Sequence, residues 1–201
     1  MIKNLFSTPL YIAKFEEPVF SLVQESFEQV YQDLKQKNTF DRQKGWRGTH
    51  LINDPTFNSN LITDYKINIF KGELLKHVIT YLTHLNYNKT TNYNISESWM
   101  TISNKNDYAY AHTHGPVDLC GVYYFKTNSK DGKIIFRNPN FMLNASWCYN
   151  SILELEYITP EEGMLILFPS WLLHNTEPNT TDNERISISF NLLFSRHSTV
   201  S

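Results

Sequence analysis

Two histidines one residue apart, in Tyr110-Ala111-His112-Thr113-His114, are followed by a third at His174 and, eleven residues later, by Arg185-Ile186-Ser187. Imidazole is the commonest protein metal ligand, and a guanidinium is the usual partner of a carboxylate. On an extended segment, side chains two apart point to the same face, so His112 and His114 can share one ion. His174 comes after the apolar run from Met164 to Leu173, which is broken at Pro169-Ser170. That break puts its ring just past a strand end, a reasonable position for a third ligand. The chemistry implied is a redox-metal centre beside a cradle for a carboxylate-bearing cosubstrate. The joint pattern is far more specific than His-x-His alone.

Strands and helices must bring these groups together. Phe20, Val23, Phe27, Val30 and Leu34 recur at helical spacing and predict an amphipathic helix over residues 16–37, with Pro18 suited to its first turn. A second helical stretch is predicted over 60–85, with Leu74, Val78, Tyr81, Leu82 and Leu85 on one stripe and Gly72 as its candidate interruption. His77 and His84 lie seven apart on it. At a rise of ~1.5 Å per residue they are too far apart for one ion, so both read as surface histidines. His50 and His197 have no partner at ligand spacing and read the same way.

From residue 96 the period changes to two. Strands are predicted over 98–103, 108–114, 121–126, 133–138, 152–157, 164–168 and 185–194, with turns at Lys130-Asp131-Gly132 and Pro160-Glu161-Glu162-Gly163. Many short strands at this spacing predict a sandwich or barrel packed against the earlier helices. The last strand sorts Arg185, Ser187, Ser189 and Asn191 onto one face and Ile186, Ile188, Phe190 and Leu192 onto the other. The polar face fits an edge strand in water equally well. In a two-sheet barrel it would instead look into a cavity, where an arginine needs an anionic partner such as a ligand carboxylate.

The whole chain sets few further bounds. Its 201 residues are enough for one domain with a sizeable core, here divided into a helical N-terminal part over 1–95 and a β core over 96–195. A formal charge of −2 gives no general attraction to nucleic acid, although Arg42, Lys44 and Arg47 surround Trp46 in a local basic loop. No signal-peptide run and no stretch near ~20 apolar residues occurs, so a cytoplasmic protein, in a phage-infected host cell included, is expected. Cys120 and Cys148 are too few for a disulfide framework and are expected reduced and buried.

Several segments together resemble the 2-oxoglutarate and Fe(II)-dependent oxygenases, particularly a branch found in phages and marine bacteria. They are His112-Thr-His114-Gly-Pro116, Cys120-Gly-Val-Tyr-Tyr124, Phe136-Arg-Asn-Pro139, Leu167-Phe-Pro-Ser-Trp171, His174-Asn-Thr-Glu-Pro178 and Arg185-Ile-Ser-Ile-Ser-Phe190. The resemblance covers about the second half of the chain closely, and Leu5-Phe-Ser-Thr-Pro9 resembles the start of that branch more loosely. It implies a mainly β fold with N-terminal helices, a double-stranded β-helix of the jelly-roll or cupin-like type. It also implies iron held by His112, His114 and His174, and 2-oxoglutarate held at its far carboxylate by Arg185. Tyr124 resembles a position that bonds the same carboxylate in prolyl-hydroxylase-like relatives, but reads equally well as a core aromatic. Ser187, on the face of Arg185, is a candidate helper.

One departure stands out. Most of the superfamily has a carboxylate where this chain has His114, and Asp118, four residues on, is the alternative acid. The strand geometry favours His114. A neutral ligand in place of an anion raises the net positive charge of the centre.

The resemblance thus implies an oxygenase, a hydroxylase of unidentified substrate using O2. Two rivals remain at this stage: a cupin-like metal-binding protein without oxygenase activity, since three histidines also suit zinc or copper, and a β-sandwich interaction module with incidental histidines. Trp99, Trp147 and Trp171 are candidates to line a substrate cleft, and Arg137 is placed on neither face. Substrate and oligomeric state are not written in the sequence.

Overall fold

The strand Arg185–Phe194 is buried along most of its length because its two faces meet different layers. Those layers follow from the element order. The computed structural model describes residues 7–37, 41–43, 46–48, 60–87, 93–140 and 154–194. In chain order these form β1 (Tyr11–Lys14), α1 (Val19–Gln36), β2 (Asp41–Gln43), β3 (Trp46–Gly48), α2 (Leu61–Asp64), α3 (Asn68–His84), β4 (Tyr93–Ser103), β5 (Leu119–Lys126), β6 (Ile134–Arg137), β7 (Leu155–Ile158), β8 (Met164–Pro169), β9 (His174–Thr176) and β10 (Arg185–Phe194). Seven strands make one sheet in the order β1-β8-β5-β10-β4-β3-β2, and three make a second in the order β7-β6-β9. All neighbours are antiparallel.

Period-two alternation divides the large sheet's side chains between two clusters. Ile186, Ile188, Phe190 and Leu192 join Met100, Tyr123, Phe125, Leu165 and Leu167 and the buried stripes of α1 and α3. On the other face Cys120, Val122, Tyr124, Ile166 and Phe168 meet Ile134, Phe136 and Ile158 of the small sheet. The polar face of β10 therefore looks into the space between two sheets, which is the jelly-roll layout expected, and not into bulk water. The N-terminal half supplies more than helices, since β1, β2 and β3 extend the large sheet.

The helices cover that sheet because their apolar positions repeat on one side. Val23, Phe27, Val30, Tyr31 and Leu34 are buried from α1, and Phe70, Leu74, Val78, Tyr81 and Leu82 from α3. Each such burial contributes about 1.5–3 kcal/mol. Phe70 is the hub, with its ring centroid 5.2 Å from Phe27, 5.3 Å from Tyr123 and 5.9 Å from Phe190, all edge-on. Edge-to-face packing of this kind adds to the area term. Gly121 permits the layers to approach, because a Cβ there would meet the Phe190 ring at 2.3 Å and 2.5 Å and Leu167 at 2.9 Å. Gly121→Ala is expected to destabilise the fold by about 1–3 kcal/mol, read as a lower urea midpoint at unchanged slope. An unchanged midpoint would contradict this packing.

The structure corrects several expectations. The stretch over 60–85 is two helices, and the break falls at Tyr65–Ile67, not at Gly72, which lies inside α3. Lys66 adopts φ 53°, with Ile67 N–H bonded to Ile62 O and Lys66 N–H to Thr63 O, a Schellman closure that usually uses glycine or asparagine. A lysine gives no such signal. Asn86 closes α3 in the same way, leaving Leu85 43% exposed and off the buried stripe. β4 begins at Tyr93, five residues before the alternation suggests, because a register shift opposite Asn191/Leu192 breaks the period. Residues 108–114 are not a strand: only one bridge, His112 with His174, is formed there. β1 and the short β9 had no legible alternation. His77 is no surface histidine, for its Nδ1 lies 2.8 Å from the Tyr11 hydroxyl and its ring stacks on Phe15 at 5.3 Å. His84 is exposed as expected. His50, His197, Trp147 and Cys148 lie outside the described residues.

Candidate metal centre

Backbone pairing brings the three histidines together even though no regular strand carries the first two. His112 N–H bonds His174 O at 2.9 Å, His174 N–H returns to His112 O at 3.1 Å, and His114 N–H bonds Ser170 O at 2.9 Å. The chain from 109 to 114 thus runs extended against the 170–176 segment. The turn closed by Leu172 N–H to Pro169 O keeps it from becoming a continuous ladder. The alternation survives, and one ring nitrogen from each of His112, His114 and His174 lies within 4.8 Å of the others.

The hydrogen bonds of these rings decide where their lone pairs point. His112 Nδ1 lies 2.6 Å from Tyr110 O, and His174 Nδ1 lies 2.8 Å from Leu172 O. A carbonyl only accepts, so both Nδ1 atoms carry the proton and both Nε2 atoms keep a free lone pair. This is the outer-shell arrangement that fixes the tautomer of a metal-ligating histidine. His114 Nε2 and His174 Nε2 then face each other at 3.4 Å. With its proton on Nε2, His114 can donate to the His174 lone pair; with the proton on Nδ1 instead, both rings offer an Nε2 lone pair that suits a cation. His114 stacks under Trp99 at 6.0 Å, and His174 is held by Phe168 at 4.7 Å and Phe136 at 5.9 Å.

Burial and the neighbouring charges of His112 and His114 push the pKa of His174 down to about 3. In an unfolded chain this histidine gains its proton near pH 6.5. Between those values the unfolded state binds one more proton than the native one. The metal-free protein is therefore expected to lose stability as pH falls from about 6.5 towards 3, by up to about 1.4 kcal/mol per pH unit from this group. Urea midpoints across that window check it: His174→Gln should flatten the dependence, and an equal slope in both proteins would contradict a neutral buried ring.

Arg185 is 4% exposed. Its Nη1 donates to Asp131 O at 2.6 Å and Gly132 O at 2.9 Å, and its Nη2 to Ser103 Oγ at 3.3 Å and Thr176 Oγ1 at 3.2 Å. Gly132, at φ 98°, is required at this turn, because a Cβ would meet Glu177 O at 2.6 Å and Arg185 Nη1 at 2.8 Å. Among the described residues no carboxylate pairs with this buried cation. Thr176, which the guanidinium contacts, is two residues from His174 on the same strand face, about 7 Å along the strand.

Register places the remaining candidates between the two. Ser187 sits opposite Tyr124 on one side and Thr101 on the other. Tyr124 is 2% exposed, and burial pushes its hydroxyl up to about 12, with the Arg185 charge opposing. Neither hydroxyl has a hydrogen-bond partner among the described residues. Asp118 is committed elsewhere: its Oδ2 accepts from Phe194 N–H at 2.7 Å, and its own N–H bonds Leu192 O. Trp171 is 55% exposed, and Arg137 points outward at the end of β6. Sequence reading missed Ser103, Thr176 and the carbonyls of residues 110, 131, 132 and 172. Of these only Thr176, by its spacing from His174, was there to be found.

Comparison with known proteins bears on this geometry. A family model described as "Putative 2OG-Fe(II) oxygenase" matches residues 97–191. A search of curated protein sequences gives no match. Among solved structures the chain is similar to a Pseudomonas putida prolyl-4-hydroxylase, with 12% identity, TM-score 0.59 and 95% of this chain and 94% of that one covered. A Trichoplax adhaerens prolyl hydroxylase in complex with a hypoxia-inducible-factor peptide fragment gives 13% identity, TM-score 0.60 and coverage of 92% and 83%. HygX from Streptomyces hygroscopicus, with nickel and 2-oxoglutarate bound, gives 13%, 0.59, 92% and 82%. At these identities the structural likenesses establish the fold, a double-stranded β-helix. The family model runs from within β4 to within β10, just under half of the chain, and includes all three histidines; over that span the chain is similar to the 2-oxoglutarate and Fe(II)-dependent oxygenases.

Proposed function

We propose that His112, His114 and His174 hold the Fe(II) through their Nε2 atoms, that Arg185 pairs with the far carboxylate of 2-oxoglutarate, and that the protein hydroxylates a substrate C–H bond. The observation that supports this most is a convergent set of histidines beside a buried arginine with no anion among the described residues. A metal-binding protein without a cosubstrate would have no use for that charge, whose desolvation costs several kcal/mol unless an anion offsets it.

When bound, the iron couples the oxidative decarboxylation of 2-oxoglutarate by O2 to oxidation of the substrate. The chain's own residues orient and exclude. Asp131 O and Gly132 O fix the guanidinium, and Ser103 and Thr176, which accept from it, each keep an O–H to give to a carboxylate. Tyr124 and Ser187 supply two more hydroxyls from adjacent strands. Tyr110 O and Leu172 O hold two ligand rings in the binding tautomer. Phe136, Phe168 and Trp99 keep water from the buried side of the histidines.

The test is succinate formation from 2-oxoglutarate with Fe(II), ascorbate and O2, against the His112→Ala/His174→Ala double variant. The reading predicts succinate from the wild type and background from the variant. No succinate from the wild type, or equal amounts from both, would overturn it.

A further inference from the structure

One row of side chains inside the barrel has no part in holding metal or cosubstrate. Glu97, Asn191, Cys120 and Phe168 are successive register partners across β4, β10, β5 and β8. The row ends on Phe168, whose ring is 4.7 Å from that of His174 and 6.4 Å from that of His114. At its other end stands Glu97, two residues from Trp99 on the same face of β4, and Trp99 stacks on His114 at 6.0 Å. Glu97 is thus about 7 Å along the strand from a residue in contact with a ligand ring.

The hydrogen bonds in this row all run one way. Buried Cys120 Sγ donates to Asn191 Oδ1 at 3.2 Å, and Asn191 Nδ2 donates to Glu97 Oε2 at 2.8 Å. The thiol fixes the amide's orientation, and the amide aims its donor at the carboxylate, which is held as an acceptor. Burial, with the Glu97 charge adding to it, pushes the Cys120 thiol up to about 12. Half-buried Glu97 has no cationic partner among the described residues, so a neutral amide is its one hydrogen-bonding neighbour there. The barrel interior is therefore polarised, with Arg185 in the first row of β10 and Glu97 beside the fourth, and the histidines between them. The positive end suits a dicarboxylate. The negative end, a positioned carboxylate next to an indole face, suits a cation.

We propose that Glu97 and Trp99 form the recognition site for the substrate to be oxidised, and that this substrate presents an alkylammonium or guanidinium group. The assignment rests on the oxygenase reading above and names the substrate class of that site. Asn191 is a positioning residue, acting through Glu97.

The test compares n-butylguanidinium with n-butylurea, nearly the same shape with and without charge, on protein loaded with Mn(II) and 2-oxoglutarate. Binding near the metal is read from faster relaxation of the probe protons. The charged probe should bind roughly ten-fold tighter than the urea, Glu97→Gln should bring the ratio to near one, and Glu97→Asp should keep most of it. The ratio is the readout, so a general loss of folding does not imitate the result. A ratio near one in the wild type, or one unaltered by Glu97→Gln, overturns the assignment while metal and 2-oxoglutarate binding leave the oxygenase reading standing. A protein that binds neither overturns both.

Discussion

His174→Ala is expected to lower metal affinity by more than about 100-fold and to bring succinate formation to background, with the fold retained. Loss of an outer-shell partner alone costs metal sites roughly 10- to 100-fold, and this change removes one of the three proposed ligands. His174 is the most buried of the three, with ring centroids 4.4 Å from His112 and 5.2 Å from His114. The variant also leaves Leu172 O without its donor, at about 1–3 kcal/mol, which is tolerable for a domain of this size. Metal content by elemental analysis after reconstitution with Fe(II), with circular dichroism for the fold, checks the result. A folded variant that keeps stoichiometric metal would remove His174 from the centre.

Arg185→Lys is expected to weaken 2-oxoglutarate binding by about 2–5 kcal/mol, roughly 30-fold to several-thousand-fold, while metal affinity falls little. Lysine keeps the charge but not the planar fork, and this fork already makes four hydrogen bonds to Asp131, Gly132, Ser103 and Thr176. One ammonium cannot hold two carbonyls and a ligand carboxylate in the same geometry. The variant also loses stability, because Asp131 O and Gly132 O are then imperfectly paired. Calorimetric titration with 2-oxoglutarate on metal-loaded protein separates the two effects. Equal affinities in variant and wild type would place the cosubstrate elsewhere.

Much of this site was legible because its determinants are local and periodic. The two-residue spacing of His112 and His114 forces a common face wherever the chain is extended, so their convergence survived the loss of the predicted strand. Alternation along 185–194 gave the face of Arg185 correctly, and burial on both sides resolved the edge-strand alternative. What stayed hidden depends on contacts far apart in sequence. Nothing near residue 118 says that its carboxylate caps Phe194 N–H, nothing near residue 77 says that Tyr11 and Phe15 will enclose it, and the anchoring of the guanidinium by the turn at 131–132 links residues over 50 apart. The Lys66 break failed for another reason: a left-handed residue is normally glycine or asparagine, and here the Schellman bonds carry a lysine.

The most direct test of the central claim is a crystal structure of the protein soaked with nickel and 2-oxoglutarate. The account predicts one metal bound by the Nε2 atoms of His112, His114 and His174, and a ligand carboxylate within hydrogen-bond distance of Arg185. A metal bound without all three rings, or 2-oxoglutarate with neither carboxylate on Arg185, would contradict it.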